Sequence, residues 1–261
     1  EWAMTDQKQD LITIGGDLQR SLDSGFRLDL KAVLREGWQL TSGAKTGLLL
    51  AVATVLALMF LLIRLAAFSG WLETDSIVIS MLFSIMLAAV LSPVSSSLDM
   101  LGLRRALGSR VRGSMVFDYL RQAPVLIQTS LLLSGCKGGL ESLSMHSSMA
   151  ESVSMALLLL FSVSMLFTIP LILERGLSPV RAMWTSFRLF LRGWPQLLLL
   201  YAVLAALFVL AMLPLGLGLI WMIPFYLIVN GIVYRDVCGV RVRIELSPKD
   251  AASLDKGSFV A

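Results

Sequence analysis

His146 is the single histidine of this 261-residue chain, standing between Glu141 and Glu151 with Met145 and Met149 on either side. Alone it can build neither a histidine metal cluster nor a Ser/His/Asp relay, since each needs partners held close by. Met145, His146, Met149 and Cys136 could offer thioether, imidazole and thiolate ligands to Cu(I), a soft ion. Thirteen methionines spread through the chain favour gap-filling between helices instead, and no metal or other cofactor is expected. Glu174 with Arg175 and Arg235 with Asp236 form two adjacent charged pairs, each at the end of an apolar run. A carboxylate so close to hydrocarbon needs a cationic partner, so these residues are expected to form an ion-pair network holding both ends to the helix that carries Arg181. A gating latch is the alternative. No paired carboxylates fall in the middle of an apolar run, where ion-coupled transport usually keeps its ligands. No catalytic constellation is legible.

The elements that must position these residues are apolar and long. The chain is 56% hydrophobic and 15% charged, with mean hydropathy +0.79, against about 25% charged residues in soluble domains. Six runs suit membrane-spanning helices, at about 46–68, 77–97, 123–140, 153–173, 196–213 and 217–234. Placing them sorts the 22 basic residues: all but Arg64 and Lys137 fall before the first run, between the second and third, between the fourth and fifth, or after the sixth. Lys and Arg are retained in short cytoplasmic loops, so both termini are expected inside. The net charge of +4 is then a topology and headgroup signal, and nucleic acid is not an expected partner. Cys136 and Cys238 fall on opposite faces and cannot pair within one chain.

The runs differ in quality. The third holds Gln128, Thr129, Gly135, Lys137 and Gly139, yet omitting it would put the Arg104 and Arg181 clusters on opposite sides. Its Gly135/Gly139 spacing suits close helix packing, and the series Ser147, Ser148, Ser152, Ser154, Ser162, Ser164 and Thr168, leading into and along the fourth run, reads as a close-packing, hydrogen-bonding helix surface. A broken helix along a polar path is the alternative for the third run. Arg64, one turn from the end of the first run, reads as snorkelling to headgroups. The connections 69–76 and 213–216 carry no basic residue and should face outside. Residues 1–25 read as a polar tail, with Glu1, Trp2 and Ala3 a vector remnant ahead of Met4, and 241–261 as a second tail around the 26–240 membrane domain.

A basic amphipathic segment precedes each pair of runs, opening with Lys31-Ala32-Val33, Arg105-Ala106-Leu107 and Arg181-Ala182-Met183. In the last, Ser178 is placed to cap and Pro179 to open a helix with Val180, Trp184, Phe187, Phe190, Leu191 and Trp194 on an apolar face. Lys31, Arg35, Arg104, Arg105, Arg181, Arg188 and Arg192 are the expected contacts to anionic headgroups or a partner protein. Gly37-Trp38 and Gly193-Trp194 recur in the first and third segments, which suggests three helix-plus-hairpin repeats.

The stretch from Ile169-Pro170-Leu171 through Glu174-Arg175-Gly176-Leu177-Ser178-Pro179, with Gly193-Trp194-Pro195, Leu213-Pro214-Leu215-Gly216, Pro224 and Tyr234-Arg235-Asp236, resembles the C-terminal half of an uncharacterised family of six-span bacterial inner-membrane proteins. It is more distantly similar to the YciC-like proteins and to the membrane domain of some glycerophosphodiester phosphodiesterases. The soluble phosphodiesterase domain is absent from this sequence, so that activity does not carry over. The resemblance implies an all-α protein of the bacterial inner membrane. The expected role is a non-enzymatic scaffold or lipid-associated accessory protein, with anionic lipids and a protein partner or second copy as its contacts. A small transporter or channel with a polar path near the third and fourth runs is the alternative. A lipid-acting membrane enzyme comes third and would need polar groups clustered at one depth.

Overall fold

The computed structural model describes residues 11–43, 45–68, 77–146, 151–213 and 217–243. Leu11–Ile14 is β1, Leu18–Ser24 is α1 and Leu30–Ser42 is α2; then come α3 (Lys45–Phe68), α4 (Ile77–Ala106), a 3₁₀ helix (Gly113–Gln122) and α5 (Ala123–His146). α6 (Glu151–Ser164), α7 (Thr168–Arg175), α8 (Pro179–Met212), α9 (Leu219–Cys238) and β2 (Val240–Arg243) complete the order. The chain is thus mostly helical, and Thr46–Leu65, Ser152–Arg175, Pro179–Met212 and Leu219–Cys238 are long and apolar enough to cross a membrane. On α3 the side chains of Leu56, Phe60, Leu61 and Leu65 are more than half exposed, which an apolar solvent tolerates and water does not.

α9 is the central post. Ile228, Val229, Ile232 and Val233 have no exposed surface, and α4 crosses them where Gly102 and Gly231 meet backbone to backbone. A Cβ on Gly231 would lie 2.6 Å from the Gly102 carbonyl, so this crossing demands hydrogen at both positions. Among the described residues the Gly135/Gly139 pair makes no such contact: a Cβ at either would meet none of their atoms within 4 Å. The close helix contact lies between α4 and α9.

Several boundaries differ from the sequence reading. α4 runs unbroken for 30 residues to Ala106, so Arg105-Ala106-Leu107 closes a helix, whereas Lys31-Ala32-Val33 and Arg181-Ala182-Met183 open theirs. The correspondence of the three triplets is therefore lost at the second. α5 is continuous over 24 residues; the broken element is the next one, where Met165, Leu166 and Phe167 separate α6 from α7. Ser186 of α8 explains how the break is tolerated. Its hydroxyl donates to the Ser164 carbonyl at 2.6 Å and accepts from the Phe167 N–H at 3.1 Å, satisfying both severed ends. α8 joins the amphipathic segment and the fifth run in one bent helix, with non-helical backbone at Gly193 just before Pro195. Ser178 occupies the cap position there but its side chain makes no cap bond.

The first and last described segments meet. β1 pairs antiparallel with β2, Leu11 opposite Arg243 and Ile14 opposite Val240. Residues 11–25, read from sequence as polar tail, are ordered further by Asp17, whose carboxylate caps α1 through the Arg20 N–H, and by Ser21, whose hydroxyl donates to the Val237 carbonyl at 2.7 Å.

Candidate functional site

The ends of α4, α7 and α9 gather under β1, β2 and α2, and charged side chains hold them. Arg235 donates to both oxygens of Glu36 at 2.7 and 2.9 Å, to Asp236 at 2.9 Å and to the Ala106 carbonyl at 2.8 Å. This bidentate fork closes α2 against the C-termini of α4 and α9. Arg175 donates to the Cys238 and Gly239 carbonyls at 2.6 and 3.1 Å, capping α9. Glu174 accepts from Arg175 at 3.2 Å, from the Tyr234 hydroxyl at 2.7 Å and from the Arg241 N–H at 3.0 Å. The glycines make room for it. Gly16 donates to the Arg235 carbonyl at 3.0 Å, and Gly239, at φ +66°, lies so close to the Gly16 carbonyl that only glycine fits.

Glu174 with Arg175 and Arg235 with Asp236 therefore form two separate clusters, the first tying the end of α7 to the end of α9 and to β2, the second tying the end of α9 to α2 and α4. Arg181 has no place in either, because its side chain points to the exposed face of α8. Glu36, the partner 199 positions from Arg235, was not singled out by sequence. Arg235 holds its carboxyl below the usual carboxylate range.

The seven expected headgroup contacts divide. Lys31, Arg35, Arg181, Arg188 and Arg192 are exposed. Arg104 instead pairs with Asp118 at 3.0 Å and stacks 5.2 Å from the Tyr119 ring; Arg105 donates to the Leu40 carbonyl at 3.2 Å, capping α2. On α8, Ala182, Ser186 and Leu189 are fully buried against the bundle, while Val180, Trp184 and Leu191 are 66%, 63% and 55% exposed. Helical spacing puts those three on one strip and Arg181, Arg188 and Arg192 on the strip beside it. α2 repeats the arrangement, with Val33 and Gly37 buried, Trp38 58% exposed, and Lys31 and Arg35 beyond.

Behind this surface lies a cavity of about 170 Å³. Its walls are Asp99 and Leu103 of α4, the break between α6 and α7, Pro170 of α7, and Tyr226, Asn230 and Tyr234 of α9. The Tyr201 hydroxyl donates to Asn230 Oδ1 at 2.6 Å, and Tyr201 meets Tyr226 edge to face with ring centroids 6.3 Å apart. Asp99 takes part in none of the ion pairs among the described residues. Sequence reasoning ended the second run at 97 and so left Asp99 outside it. The signal was present: from Ser95 through Asp99 to Leu107 there is no proline, and the one glycine, Gly102, is a helix-packing position, not a stop.

Cys136 is exposed and Cys238 buried, each as a free thiol. Met149 and the side chains of Met145 and His146 fall outside the described residues, as do the connections 69–76 and 214–216 and the tail beyond 243. Fold and site together define a helical protein of membrane-spanning type with a basic, tryptophan-bearing end. No family model, curated protein or solved structure matches the chain.

Proposed function

We propose that this chain is a non-enzymatic scaffold or lipid-associated accessory protein of the bacterial inner membrane, whose basic end rests on the anionic cytoplasmic leaflet. In this reading α3, α4, α5, the α6–α7 pair, the distal part of α8 and α9 are the six spans, and both termini are cytoplasmic. α4 and α5, at 30 and 24 residues, exceed the roughly 20 residues a span needs. The observation that carries the reading is the paired strip on α8: exposed Val180, Trp184 and Leu191 at the depth of acyl chains and glycerol, with Arg181, Arg188 and Arg192 beside them.

The test uses the full chain in an uncharged detergent, titrated with phosphatidylglycerol or phosphatidylcholine. Three arginines at about 1 kcal/mol each give a preference for the anionic lipid on the order of 100-fold. That preference should fall with salt and largely disappear in the triple variant Arg181→Gln, Arg188→Gln, Arg192→Gln. Equal affinity for the two lipids, or an unchanged preference in the variant, overturns the proposal.

A small transporter is the second reading. It is favoured by one observation, the discontinuous α6–α7 pair beside a cavity whose wall carries Asp99 and Asn230, an arrangement that transporters use for substrate sites. Flux of a solute into proteoliposomes, abolished by filling the cavity with Leu103→Trp, would establish it.

A further inference from the structure

Asp99 lines a largely apolar cavity, and among the described residues no cation pairs with it. The ion pairs of Arg104, Arg175 and Arg235 are all made elsewhere, and no hydrogen bond from the described residues reaches the Asp99 carboxylate. Asp99 is only partly exposed, and a carboxylate partly withdrawn from water is costly unless it is paired or hydrogen-bonded. The rest of the cavity says what would pair with it. At about 170 Å³ the space is close to the engineered cavity of about 150 Å³ that takes up benzene, so it admits a body of about six heavy atoms. Leu103, Phe167 and Pro170 offer that body apolar contacts, and the wall includes two aromatic rings, Phe167 and Tyr226, a side-chain type that attracts positive charge. Asn230 Oδ1, which receives the Tyr201 hydroxyl, keeps a second lone pair for an N–H donor.

We propose that the Asp99 cavity is a binding site for a small organic ammonium, its cationic head on the Asp99 carboxylate and its hydrocarbon body against the α6–α7 break. The site is separate from the lipid-facing strips of α2 and α8 and does not depend on their role. Nor does it require that the occupant be moved across the membrane.

The experiment measures binding of cyclohexylammonium and of cyclohexanol, its neutral counterpart, to the full chain in an uncharged maltoside micelle, by calorimetry and thermal shift at fixed ionic strength. The wild type should bind cyclohexylammonium saturably and at least tenfold more tightly than cyclohexanol. Asp99→Asn should lose at least tenfold in affinity for the ammonium while binding cyclohexanol unchanged. Leu103→Phe, which fills the space without touching the charge, should weaken both. Comparable affinity of the wild type for the two compounds, absence of saturable ammonium binding, or full retention of it in Asp99→Asn would each overturn the proposal. The wild-type comparison decides the matter even where a variant does not fold.

Discussion

Removing the Arg235 side chain tests the clamp that assembles the basic end. Its guanidinium makes four contacts, to Glu36 twice, to Asp236 and to the Ala106 carbonyl, and its side chain is only 16% exposed. Breaking a buried pair by removing one partner costs about 3–5 kcal/mol. Glu36 is 38% exposed and recovers some hydration, which lowers the expectation for Arg235→Met to about 2–3 kcal/mol. Arg104→Met, which breaks a pair with 36% and 47% exposed side chains, should cost no more than about 1 kcal/mol. Thermal unfolding of the detergent-solubilised chain followed by circular dichroism ranks the two. The sign with pH follows from Glu36, whose carboxyl Arg235 holds below its usual range. Its contribution is present above the unfolded-state value, about 4.3, and is lost as pH falls through the lower folded value. Glu36→Gln should remove that part of the acid sensitivity. If Arg235→Met destabilised the protein no more than Arg104→Met, the clamp would carry none of the weight given to it.

Ser186→Ala should cost about 1–3 kcal/mol, because it leaves the Ser164 carbonyl and the Phe167 N–H unpaired inside the bundle; denaturant titration checks this, and a loss below about 0.5 kcal/mol would mean the break is held by other means. Gly231→Ala should destabilise by about 1–3 kcal/mol through overpacking on Gly102. Gly135→Ala, with nothing near its Cβ, should instead stabilise α5 by about 0.5–1 kcal/mol through helix propensity. Melting temperatures that moved in the same direction for both glycine variants would contradict the assigned helix contact.

What sequence made legible was local or periodic. Hydropathy marked the apolar runs that form α3, the α6–α7 pair, α8 and α9, Pro179 marked the start of α8, and Gly193-Trp194-Pro195 marked its bend. Adjacency alone showed Glu174 with Arg175 and Arg235 with Asp236. What it missed depends on chain segments far apart. Glu36 reaches Arg235 only because α2 folds across the end of α9, and β1 finds β2 across more than two hundred positions. Pro170 marks the break locally, since it has no N–H for the Leu166 carbonyl four residues back and its ring crowds that carbonyl; what was not legible is that Ser186 on another helix satisfies the Ser164 carbonyl and the Phe167 N–H left there. Asp99 was passed over because the hydropathy of its run fades at Ser95–Ser97, although the helix continues.

The account depends most on which side of the membrane carries the basic end. On a Cys136→Ser, Cys238→Ser background, single cysteines at Ser109, in the exposed turn after α4, and at Phe68 and Leu213, exposed at the opposite helix ends, can be challenged in intact cells with a membrane-impermeant maleimide. The six-span arrangement with cytoplasmic termini predicts labelling of Phe68→Cys and Leu213→Cys from outside, and labelling of Ser109→Cys only after permeabilisation. External labelling of Ser109→Cys in intact cells would contradict it.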